Sequence, residues 1–171
     1  MSIAITEDHR ALAETVASFV VKHDARGVAR SLLEAAAEEL PSYWNDLAAL
    51  GWLGLHLPEA HGGSGFGIPE LVIVIEELGR AVAPGPFVPT VIAGAVIAAV
   101  APADVQARLL PGLADGSVIG AVALGGNVEL RDGKAHGFAG VVLSGALADV
   151  LLVPVGDDVA VIERSGGGVN A

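Results

Sequence analysis

The chain reads as an α+β protein, with an all-helical N-terminal domain over residues 1–116 and a partial antiparallel β-domain over residues 117–171. Three observations predict it. Apolar residues recur at helical spacing as far as Gly116, after which the pattern shortens to Val-rich runs suited to strands. Turn segments, Asp132-Gly133 and Gly156-Asp157-Asp158, separate runs of that second kind, as tight hairpins require. Only about five such runs precede the closing Ser165-Gly166-Gly167-Gly168 segment, few for a sheet that must cover a face, so the β-domain is expected to be incomplete.

The first helix starts after Thr6, a suitable N-cap. Glu7 and Asp8 meet the positive end of the helix dipole, and Leu12, Val16, Phe19 and Val20 share one face. A second helix is expected over residues 28–40. Pro41 and Ser42 restart the chain, Trp44, Leu47 and Leu50 form the next stripe, and Gly51 suits its end. Pro69 sits near the first turn of a further helix that carries Leu71, Ile75 and Leu78 to Gly79 and, apolar around most of its circumference, should be central. Beyond the link with Pro84, Pro86 and Pro89, an apolar helix covers residues 87–101. Pro102 opens the last helix, with Val105, Leu109 and Leu113 on one side and Pro111 expected to kink or tighten its final turn. Strands are expected at 118–124, 128–130, 141–143, 150–155 and 159–162.

Composition excludes several classes of function. Hydrophobic residues make up 53% and mean hydropathy is +0.62, which rules out disorder. The most apolar stretch, 87–101, is shorter than a bilayer span, contains Pro89 and is rich in Ala and Gly, so it reads as a buried helix and no membrane partner is expected. The first residues hold no basic segment followed by an apolar one, so a cytoplasmic location is expected. With no cysteine there are no disulfides, thiolate zinc sites or Cys nucleophiles. A net charge of −11 against nine Lys and Arg leaves no footprint for nucleic acid.

The glycine cluster from Pro58 to Gly67 invites a phosphate-loop reading. It lacks both the preceding strand of a dinucleotide fold and the Gly-Lys-Ser/Thr of a P-loop, so a glycine-enabled turn between packed helices is favoured. His56, Glu59 and His61 lie in that turn without the i, i+4 spacing of a helical metal site, and no metal is expected. Glu76 and Glu77 are neighbours on a helix and point apart, so they cannot work as an acid–base dyad. Ser64, Ser144 and Ser165 lack the setting of a nucleophile elbow.

The run Trp44-x-x-Leu47-Ala48-x-Leu50-Gly51-Trp52-x-Gly54-Leu55-x-Leu57-Pro58-Glu59-x-x-Gly62-Gly63 closely resembles the N-terminal signature of acyl-CoA dehydrogenases. Glu76-Glu77-Leu78-Gly79-Arg80 is similar to the family's next helix, and Leu109-Leu110-Pro111-x-Leu113-Ala114-x-Gly116 to the segment entering its β-domain. Together these span about two thirds of the chain in the family's order. The Pro84-Gly85-Pro86 link resembles bacterial, especially actinobacterial, members.

The resemblance implies flavin chemistry: a carboxylate takes the α-proton of an acyl-CoA substrate, the β-hydride passes to FAD, and a trans-2-enoyl-CoA results. In the family that carboxylate lies in a C-terminal helical domain, which these residues do not reach, so no catalytic residue is assigned and the chain is expected to be inactive alone. The resemblance places the flavin against Ala123, Leu124, Gly125, Val141 and Leu143. Relatives carry Thr-Glu-Pro-x-x-Gly-Ser where this chain has Ala121-Val122-Ala123-Leu124-Gly125-Gly126-Asn127, and an aromatic and a Thr near Val141 and Leu143. FAD binding by this chain alone is therefore expected to be weak or absent. Two main readings follow, the N-terminal portion of an FAD-dependent enzyme or a degenerate non-catalytic subunit of a heteromeric one. Either implies a homo- or hetero-oligomer. A stand-alone helical binding module is a third.

Overall fold

The computed structural model describes residues 5–164. Six helices come first: α1 (Glu7–Lys22), α2 (Ala25–Leu32), α3 (Trp44–Ala49), α4 (Ile68–Arg80), α5 (Phe87–Val100) and α6 (Ala103–Asp115). Short 3-10 turns at Trp52–Gly54 and Glu59–His61 join α3 to α4. Five strands follow: β1 (Gly120–Val122), β2 (Asn127–Arg131), β3 (Lys134–Phe138), β4 (Val150–Val155) and β5 (Asp158–Glu163). They form a three-stranded sheet in the order β1-β4-β5 and a separate β2-β3 hairpin.

Each helix end has a local cause. The Thr6 hydroxyl accepts from the His9 amide at 3.2 Å while His9 Nδ1 accepts from the Thr6 amide at 3.2 Å, a reciprocal cap for α1. With Nδ1 accepting, Nε2 carries the proton and donates to Glu70 Oε1 at 3.1 Å, and Glu70 Oε2 accepts from the Gly67 amide at 3.0 Å. One carboxylate thus caps α4 and ties it to α1, and the His9 hydrogen bond, followed by backbone donors, holds it below the usual carboxylate range. At the other end of α4 the Val82 amide donates to Gly79 O and the Ala83 amide to Leu78 O, closing a Schellman motif.

Two hydrophobic clusters fill the interior. The first joins α1, α3, α4 and the start of α5 through Val16, Phe19, Trp44, Leu47, Trp52 and Val74, and takes in Ile119. Phe19 meets Tyr43 and Trp52 edge-on, with centroids 5.8 and 5.3 Å apart. Burial pushes the Tyr43 phenol up to about 12, so it stays protonated and donates to Pro84 O at 2.7 Å. The second cluster sets Leu57, Ala93, Ile97, Leu110 and Leu113 against Val150 and Leu152 of β4. Helices end at Asp115 and strands begin at Gly120, yet both clusters contain residues from each side of that border.

Several sequence expectations need correction. The second helix stops at Leu32, not at residue 40. Residues 33–40 are exposed throughout, and a segment with no apolar face to bury gains too little from helix propensity alone. Residues 141–143 form no strand: the following turns, Gly145 N to Val142 O and Leu147 N to Ser144 O, with Ser144 at φ 55°, break the extended path. The arm opposite β2 is Lys134–Phe138, whose Lys-Ala-His-Gly-Phe composition hides a strand. Both turn segments lie where the sequence sets them, with Asp132 at φ 51° and Gly133 at φ 71° as a two-residue hairpin loop needs. The hairpins are antiparallel, but β1 pairs with β4 in parallel, because the β2-β3 excursion returns the chain to the same end of the sheet. Helix α6 continues through Pro111 to Asp115, and Ser165 lies outside the described residues.

The residue at the turn ending α4 is Val82, β-branched, two-thirds exposed and held at φ 53°. Val82→Gly is expected to raise the unfolding free energy by about 1 kcal/mol, seen as a higher urea midpoint at unchanged slope; a lower midpoint would show that the valine side chain contributes more than its backbone costs.

Candidate functional site

The glycine loop spends the amides of its glycine-rich part, residues 62–66, on its own backbone rather than on a phosphate. Its Gly62, Gly63, Ser64, Gly65 and Phe66 amides donate to Glu59, Pro58, Gly54, Leu57 and Leu55 carbonyls respectively, at 2.8–3.1 Å. A Cβ on Gly63 would lie 2.1 Å from Leu57 O, so the loop folds flat on its own backbone and only glycine fits there. The same segment turns His56 toward α5, near Val91 and Gly94. Both ring nitrogens are inaccessible and lack a hydrogen-bond partner of good geometry, and burial lowers the imidazole pKa, only partly offset by the Val91 backbone. Among the described residues no group of three His, Asp or Glu could hold a metal ion. Arg80 pairs with Glu76 at 2.5 Å and Glu77 at 3.6 Å, so both carboxylates are engaged at the helix surface.

The residues assigned to the flavin lie at the far edge of the β-region. Ala123 is buried and its amide donates to Leu152 O at 2.8 Å, which anchors the end of β1 to β4. The chain then leaves the sheet. Leu124 is 86% exposed, and among the described residues the Leu124 and Gly125 amides find no acceptor. Gly126, at φ 112°, lies against the Phe138 carbonyl and Ala139, and Gly140 lies beside the Gly125 carbonyl. The folding of β2 on β3 therefore brings residues 125–126 alongside 138–140 across the hairpin.

Val141 is 88% exposed and Leu143 69% exposed. Of the five assigned residues, Ala123 faces inward, Gly125 adjoins Gly140, and Leu124, Val141 and Leu143 present apolar side chains to the outside. The sequence reading missed Phe138, 68% exposed, whose carbonyl lies against Gly126 and which adds an aromatic side chain to this region. Counting equal arms on either side of Asp132-Gly133 would have placed Phe138 opposite Asn127. Every residue of β2 and β3 except Val128 is exposed, so the hairpin has little cover of its own. The five assigned residues can offer a flat ligand two backbone amides and apolar contact, but no side-chain hydroxyl and no ring of their own; the aromatic ring nearby is that of Phe138.

A family model described as "Acyl-CoA dehydrogenase, N-terminal domain" matches residues 6–117. Acyl-CoA dehydrogenase IpdE2 of Mycobacterium tuberculosis is 39% identical over 119 residues, 69% of this chain and 37% of the relative. Among solved structures, a variant of the Tcur3481–Tcur3483 steroid ACAD aligns with TM-score 0.76 and 29% identity over 94% of this chain and 49% of that one. The ChsE4–ChsE5 complex of M. tuberculosis aligns with TM-score 0.78 and 25% identity over 98% and 49%. A glutaryl-CoA dehydrogenase of Mycobacterium smegmatis, solved in complex with FADH2, has the same fold at TM-score 0.73 and 24% identity over 92% and 46%. The chain spans about half or less of the length of the relatives it matches.

The lowered His56 pKa has a definite sign. The unfolded chain binds a proton near pH 6.5 while the folded chain binds it only at lower pH, so stability is complete above that value and falls as pH drops below it. In urea titrations at pH 7 and pH 5, His56→Leu is expected to lose less stability than the parent chain on acidification; an unchanged loss would place the acid sensitivity elsewhere.

Proposed function

The chain belongs to the acyl-CoA dehydrogenase family, and from that premise we propose that it is the N-terminal portion of an FAD-dependent acyl-CoA dehydrogenase acting in lipid metabolism. The reaction is the α,β-dehydrogenation of an acyl-CoA thioester to a trans-2-enoyl-CoA, as in β-oxidation, in a cytoplasmic setting. No helix among the described residues is long and apolar enough to cross a membrane. The observation that carries the reading is the juxtaposition of Gly125-Gly126 with residues 138–140, which sets the open amides of Leu124 and Gly125 near the segment that leads to the exposed Val141.

Fitted against a flavin, this edge is poor. It has the main-chain donors, but Val141 and Leu143 can only pack on a ring, and Ala123 is turned away. Most of the binding energy must then come from groups beyond these residues, and no carboxylate here matches the family's base. Such groups would belong to another part of the enzyme or to another subunit.

A second reading is favoured by that poor fit: a degenerate, non-catalytic subunit that completes a heteromeric acyl-CoA dehydrogenase. The existence of a ChsE4–ChsE5 complex of similar fold supports it. The two readings differ in where the flavin is held, by this polypeptide or by its partner.

The 171-residue chain alone is expected to show no turnover of acyl-CoA with an artificial electron acceptor, and to quench free FAD fluorescence only weakly. Gly125→Thr combined with Val141→Trp should tighten FAD binding about tenfold, the effect of one hydrogen bond and one stacking contact. A tight yellow complex of the unaltered chain would contradict the assignment of a depleted flavin edge. No gain in the double variant would mean that these positions do not face the flavin.

A further inference from the structure

A groove of about 390 Å³ runs between the α5–α6 corner and the β4–β5 hairpin, on a surface that the flavin-edge argument does not use. Ile97, Val100 and Val105 line its helical wall, and Leu152, Val159 and Val161 its strand wall. The walls follow from local periodicity. Val159 and Val161 share one face of β5, and Leu152 is the register partner of Val161. Just beyond the lining residues Val105 and Val161 the two walls are joined by an ion pair. Arg108, one turn beyond Val105, pairs at 2.5 Å with Glu163, two residues beyond Val161 on the same strand face.

The end at the hairpin turn is acidic. Asp157 and Asp158, at the hairpin turn, line the groove there, and among the described residues neither has an ion-pair partner. Val100 and Val159 are 69% and 44% exposed. Apolar walls with two unpaired carboxylates at the mouth are complementary to an aliphatic side chain carried next to a cation. A second copy of this chain is a poor occupant, because it brings its own acidic hairpin and a net charge of −11.

We propose that this groove docks a basic, aliphatic segment of a different polypeptide, with aliphatic side chains between the α5–α6 corner and β5 and flanking Lys or Arg residues on Asp157 and Asp158. The cationic contacts lie at the rim and are exposed, so they set orientation and selectivity while the apolar walls hold the segment. Binding therefore weakens with salt without vanishing.

The test is a titration of the isotope-labelled 171-residue chain, followed by its amide NMR shifts, with three blocked tetrapeptides: Lys-Leu-Leu-Lys, Glu-Leu-Leu-Glu and Lys-Gly-Gly-Lys. The first is expected to shift the amides of Val100, Asp158 and Val159, and the other two to bind about tenfold more weakly. Asp157→Asn with Asp158→Asn should weaken the first peptide about tenfold without changing the thermal midpoint appreciably. Val159→Lys, which places a cation in the mouth, should abolish its binding. The proposal is overturned if no peptide shifts these amides, if the acidic peptide binds as well as the basic one, or if both variants bind like the parent.

Discussion

The contact on which the rest of the architecture depends is the closeness of β1 to α5. A Cβ on Gly120 would stand 2.6 Å from the Ala93 Cβ and 3.1 Å from a Leu113 methyl, so the strand backbone lies directly on the helix surface. Thr90, the buried polar residue of the core, accepts from the Gly120 amide at 3.2 Å and donates to its carbonyl at 3.4 Å. A buried hydroxyl needs such a partner, and a buried strand end needs its amide satisfied, so one residue meets both demands. Asp149 continues the clasp, its carboxylate accepting from the Ile119 amide at 2.8 Å and its own amide donating to Ile119 O at 2.8 Å. The parallel entry of β4 beside β1 is fixed at that point.

From this junction the polarity of the molecule follows. Residues near it are buried: Val150 and Leu152 against α5 and α6, and Ala121 and Ala123 in and just after β1. Residues progressively further from it are exposed, until the β2-β3 hairpin and the loop through Val141 and Leu143 stand almost without cover. A sheet secured on one flank and open on the other supplies a rigid base for an edge completed by something else. That arrangement suits a family whose reaction needs a flavin and a base held together by more than one domain.

The helical half was legible because its signals are local. Thr6 by its capping hydroxyl, and Gly51, Pro69, Pro102 and Gly116 by their backbone preferences, mark helix ends, and each lies at or beside an observed terminus. The second helix was misread because Glu34 to Leu40 has good helix propensity and no surface to pack on, and only the tertiary structure reveals the second fact. In the β-region the turns and four of the five expected strands were legible; the strand at Lys134–Phe138 was not, and the one expected at 141–143 does not form. Asp132-Gly133 dictates its conformation, whereas Val141-Val142-Leu143 looks like a strand and is kept from being one by the turns that follow. The candidate flavin edge was found through family resemblance. Its geometry depends on Gly126 and Gly140 admitting close backbone contact, which no periodicity encodes.

If β1 and α5 are joined as described, the helical and sheet regions unfold as one cooperative unit despite the change of secondary structure between Asp115 and Gly120. Trp44 and Trp52 report on the first cluster, and the amides of Leu152 and Val153 in β4 on the second. Urea unfolding followed by tryptophan fluorescence and by the NMR intensities of those β4 amides should give coincident transitions with one midpoint. Loss of the β4 signals at a clearly lower urea concentration, with the tryptophan environment intact, would contradict a shared core and show two independently stable halves.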